Sequence, residues 1–185
     1  MTTAKELARY IISVIKKNMT DISPEEFDVT PLKLQKLLYY CQGYSLAPTG
    51  KPAFSDTIEA WKYDPVVESV YIEYKRYNGS IIPYGESETA EVFDETLRSI
   101  VSFVVADKGQ YSGGVLAKMT HKESPWQDTY RGNYTNFEIP AEKMRNYFSD
   151  EFLRREEDYG ETDEALDNIG EPVSKSELEG ILESI

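Results

Sequence analysis

Residues 28–43 read DVTPLKLQKLLYYCQG, and the way this stretch packs decides the fold. Thr30-Pro31 predicts a helix start, because threonine caps the first free N–H groups and proline at the first helical position has no donor to leave unpaired. Leu34, Leu37, Leu38 and Cys41 follow on one face at amphipathic spacing. Lys36, Tyr39 and Tyr40 fall away from that face, with Lys33 on its flank. Two arrangements accommodate them: a central helix packed on both sides, or an outer helix whose second face meets a partner. The helix is expected to end near Ala47, before Pro48.

Upstream, Leu7, Ile11, Val14 and Ile15 predict a helix over 3–18 with Lys16 and Lys17 near its negative end. Downstream, Thr57–Trp61 alternates as a short extended piece, and Ile81-Ile82-Pro83 is a candidate strand to pair with it. Asp64-Pro65 repeats the cap-and-proline signal and predicts a helix through Val66, Val67, Val70, Tyr71 and Tyr74. Phe93, Leu97, Ile100, Val101, Val104 and Val105 predict a buried helix over 91–107, and Ser112 caps a short one through Met119. Ser124-Pro125 starts another. Met144, Tyr147, Phe148 and Phe152 form the inner face of a helix over 141–154. The expected fold class is mostly α (α+β minor): a compact multi-helix domain with a short two-stranded β element.

The charge is divided unevenly. Of 185 residues with a net charge of −13, residues 151–185 hold 12 acidic against 3 basic side chains, leaving 21 against 17 in residues 1–150. We expect a helical domain over 1–150 and an acidic extension over 151–185, partly disordered, in which Leu178, Ile181, Leu182 and Ile185 suggest a terminal helix. No run of about 18 apolar residues exists and no signal-peptide pattern opens the chain, so a cytoplasmic protein without membrane contact is expected.

One cysteine, Cys41, gives no internal disulfide, and one histidine, His121, gives no zinc site of the usual His/Cys kind; no metal and no cofactor are expected. The acidity disfavours direct nucleic-acid binding, which depends on cations displacing counterions from phosphate. In Thr120-His-Lys-Glu-Ser-Pro-Trp126, His121 could act as a general base with Glu123 orienting it, a hydrolase arrangement. The stronger reading is structural: His121, Glu123, Pro125 and Trp126 lock a loop to a helix start, and the chain is not an enzyme. Fourteen tyrosines suit an interface, because Tyr is apolar along its length and polar at its tip. Lys33, Lys36, Tyr39, Tyr40, Trp61, Tyr63 and Tyr71 are the candidate partner-facing residues.

Three blocks, Val29–Gly43, Ile58–Tyr71 and Leu116–Trp126, together resemble the Panacea domain of SocA-like antitoxins. Similar proteins usually carry Gly where this chain has Asp64 and Pro where it has Glu68; Asp64 is expected to serve as a helix cap instead. The resemblance implies a non-enzymatic antitoxin that binds and suppresses a cognate protein toxin. The expected partner carries a basic nucleotide- or RNA-handling surface, matched by the acidity of this chain. The rival is an adaptor or phage-borne interaction protein directed at host defence or proteolysis machinery.

Overall fold

The computed structural model describes residues 2–18, 28–83, 93–132 and 137–160. Helix α1 runs Ala4–Asn18 and α2 runs Pro31–Thr49. The Thr30 hydroxyl accepts the Lys33 N–H at 3.3 Å, Pro31 takes the first turn, and Gly50 closes α2 at φ 66°, donating its N–H to Leu46 O. Pro48 lies inside the last turn, so α2 extends beyond the expected stop at Ala47.

Helix α2 is the axis of the molecule, and α1, α3 (Glu68–Tyr74), α4 (Glu95–Lys108), α5 (Gly113–Thr120) and α7 (Ala141–Gly160) pack around it. Residues 33–46 of α2 are therefore all buried, polar ones included. Gly43 makes the closest approach possible: a Cβ there would lie 2.2 Å from the Phe148 ring of α7. The core gathers Leu7, Ile11 and Ile15 of α1, Leu34, Leu37, Leu38 and Cys41 of α2, Val101, Val104 and Val105 of α4, Leu116 of α5, and Met144 and Phe148 of α7. Asp94 caps α4 through Leu97 N–H, and Ser112 caps α5 through Val115 N–H.

The mostly helical class holds, with a correction in the sheet. Three short strands, β1 (Glu59–Ala60), β2 (Pro65–Val66) and β3 (Phe137–Glu138), form an antiparallel sheet in the order β2-β1-β3. Ile82 does not pair with β1; its N–H bonds Val29 O at 2.8 Å. Asp64-Pro65 does not cap a helix, because Pro65 enters β2 and α3 starts at Glu68 after Val67. Helix α6 is a single turn, Ser124–Gln127. Helix α7 runs on past the expected end near 154. Residues 161–185, including the apolar positions 178–185, lie outside the described residues. No helix among the described residues is long and apolar enough to cross a membrane.

Candidate functional site

The polar side chains of α2 bond the backbone of the chain that crosses it. Gln42 accepts the N–H groups of Ala53 and Phe54 at 2.8 and 3.3 Å and donates to Phe54 O at 3.4 Å. Two turns earlier, Gln35 accepts the Val67 N–H at 2.8 Å and donates to Val67 O at 3.2 Å, as a neighbouring β-strand would. Lys36, with no exposed surface, donates to Pro65 O at 2.9 Å and lies 2.9 Å from Asp64 Oδ1. At that distance opposite charge holds the pair. Burial lowers the Lys36 pKa to about 8 against the opposing pull of Asp64.

The segment after α5 closes the other side. Glu123 is buried and accepts the Tyr40 O–H at 2.8 Å, a bond spanning 83 positions of sequence. Burial raises the Glu123 pKa, and the phenols of Tyr39 and Tyr40 oppose the rise. Burial beside this carboxylate pushes both phenol pKa values up. The Tyr39 hydroxyl and Glu123 Oε2 are buried without a hydrogen bond of good geometry among the described residues. The Trp126 indole donates to Trp61 O at 3.0 Å, fixing the α6 turn to the hairpin that joins β1 and β2. His121 stacks on Trp126 at 4.4 Å, and Trp126 stacks on Tyr130 at 5.0 Å.

The sequence-predicted residues thus divide into two groups. Lys33, Lys36, Tyr39 and Tyr40 are buried in the body, so of the two arrangements left open for α2 the chain adopts packing on both sides. Tyr63 and Tyr71 stand exposed, and half-buried Trp61 meets Tyr71 at 5.1 Å. Pro125 is buried in the α6 turn. His121 and Glu123 face different ways: the imidazole Nε2 is 3.9 Å from Asp64 Oδ1, whereas Glu123 turns in to Tyr40. Sequence reasoning missed Gln35, Gln42 and Asp64 as members of this centre. Two glutamines in a helix that has no wet face are the signal that could have revealed them. No group of three or more His, Cys, Asp or Glu side chains placed to hold a metal ion occurs among the described residues.

The fold and the site define a helical scaffold whose buried polar side chains brace a short hairpin and leave an aromatic surface above it. The chain belongs to the SocA-like antitoxins: the family model "Antitoxin SocA-like, Panacea domain" matches residues 34–127, from α2 through α6. It is also similar to Antitoxin SocA of Caulobacter vibrioides, with 24% identity over 139 residues, 69% of this chain and 73% of that protein. No solved structure matches it.

Proposed function

We propose that this chain neutralises a cognate protein toxin by direct binding and occlusion, without chemistry of its own. Membership of an antitoxin family supplies the general role. The observation that carries the finer reading is how the matched blocks use their polar groups. Gln35, Lys36, Tyr40, Glu123 and Trp126 bond backbone or one another. These groups hold a shape. A hydrolase built on His121 and Glu123 would need the two to work on one substrate atom, and Glu123 instead holds Tyr40.

The acidic surplus of residues 151–185 suits a toxin with a basic nucleotide- or RNA-handling surface, steering encounter and covering the surface once bound. The test is growth. Expression of the neighbouring reading frame alone should arrest cells, co-expression with this chain should restore them, and the two purified proteins should co-elute. Restoration without a complex would sink direct occlusion, and a turnover by this chain that accounts for rescue would make it an enzyme.

A further inference from the structure

The hairpin between β1 and β2 is too tight and too well held to be a passive link. Trp61 N–H bonds Asp64 O at 3.0 Å and Asp64 N–H bonds Trp61 O at 3.3 Å, which puts Lys62 and Tyr63 at the two corners. Neither corner has the positive φ that two-residue hairpins favour, since Asn78 is the sole non-glycine with positive φ among the described residues. Its shape comes from below: Lys36 holds Pro65 O and Asp64, Gln35 holds Val67, and Trp126 holds Trp61 O.

What this bracing presents is apolar. Tyr63 is 65% exposed, Ile72 54% and Tyr71 41%, with Tyr71 resting on Trp61. The charge around them runs against that of the whole chain. Lys62, Lys75 and Arg76 are exposed, with Lys62 Nζ 4.6 Å from the Tyr63 ring centre. Two acids of the same stretch are paired, Asp64 with Lys36 and Glu73 with Lys5 and Arg9, whereas Glu59 keeps its charge while accepting the Trp61 indole N–H. With exposed Glu68, two such carboxylates stand against the three exposed cations, so the ridge is locally cationic by one charge in a chain of net charge −13.

We propose that Lys62, Tyr63, Tyr71 and Ile72 form a rigid recognition ridge that inserts into an apolar pocket rimmed by carboxylates on the cognate toxin. This rests on the antitoxin reading above and adds to it where the chain touches its partner and with what chemistry. Aromatic side chains on a braced turn lose little conformational freedom on binding, which is how a few residues come to dominate an interface. The cationic rim selects an acidic site, distinct from the basic surface matched to residues 151–185.

Full-length chain and the toxic neighbouring-frame protein, titrated by calorimetry at two salt concentrations, test this. Tyr63→Ala and Tyr71→Ala/Ile72→Ser should each weaken binding about tenfold or more at unchanged melting temperature. Lys62→Glu should weaken it by a factor that shrinks as salt rises. Val115→Ser, at an exposed position of α5 outside both the ridge and residues 151–185, should leave it unchanged. Affinities of the ridge variants within twofold of wild type overturn the ridge while leaving the antitoxin reading standing. A wild-type chain that does not bind the toxin overturns both. Self-association abolished by Tyr63→Ala would assign the ridge to a second copy and overturn the toxin pocket.

Discussion

Helix α2 and the ridge above it reverse the usual placement of residue types. In α2, Lys33, Gln35, Lys36 and Gln42 are buried, whereas on the ridge Tyr63, Tyr71 and Ile72 face outward. The two regions draw their stability from different sources. Each amide or ammonium of α2 that bonds crossing backbone satisfies groups that would otherwise be stranded inside, so its burial is compensated. The ridge side chains gain little from folding and are free to serve recognition.

Lys36 is where the buried polar layer is most vulnerable. Lys36→Ala strands Asp64 and Pro65 O, and should cost about 3–5 kcal/mol in denaturant unfolding. Lys36→Met with Asp64→Asn removes both charges and should recover part of the loss. A single variant as stable as wild type would mean that the pair contributes nothing to the hairpin. Leu38→Ala, a fully buried apolar truncation in the same helix, should cost about 2–5 kcal/mol through the lost contacts and the cavity.

Acid–base titration of the buried groups has smaller effects. The Glu123 pKa is raised in the fold, so its contribution is full below the ordinary carboxyl value and is lost as pH rises through the folded value. Glu123→Gln keeps an acceptor for Tyr40 and cannot ionise, so its stability should lack that decline, as melting curves from pH 4 upward would reveal. The Lys36 pKa is lowered, so the unfolded chain binds more protons above about pH 8, and stability gains from this group as pH rises past that point. The gain should be absent in Lys36→Met. Above about pH 10 the buried tyrosines, whose pKa values are raised, act in the opposite direction and close the window.

The smallest expected effect lies on the ridge. Tyr63→Ala should change folding stability by no more than about 0.5 kcal/mol, because the ring is mostly in water. A larger loss in urea unfolding would show that the hairpin tip supports the fold as well as presenting a surface.

Local patterns alone settled much of the architecture. Capping chemistry and apolar spacing placed α1, α2, α4, α5 and α7, because a helix start and an amphipathic face depend on residues within a few turns. The three blocks that resembled the Panacea domain likewise lay in plain view. Tertiary structure decided the rest. Lys36, Tyr39 and Tyr40 lie off the leucine face, and only the packing of α7 and the hairpin against α2 determined whether water or protein would cover them. Asp64-Pro65 carried a helix-start signal, yet Lys36, 28 positions upstream of Asp64, draws that stretch into β2. Glu123 and His121 sit two residues apart and serve different partners, one through Tyr40 and the other beside Asp64. A helix cap is a contact between near neighbours, whereas these bonds join residues brought together only by the fold; burial and pairing across such separations are properties of the packed whole.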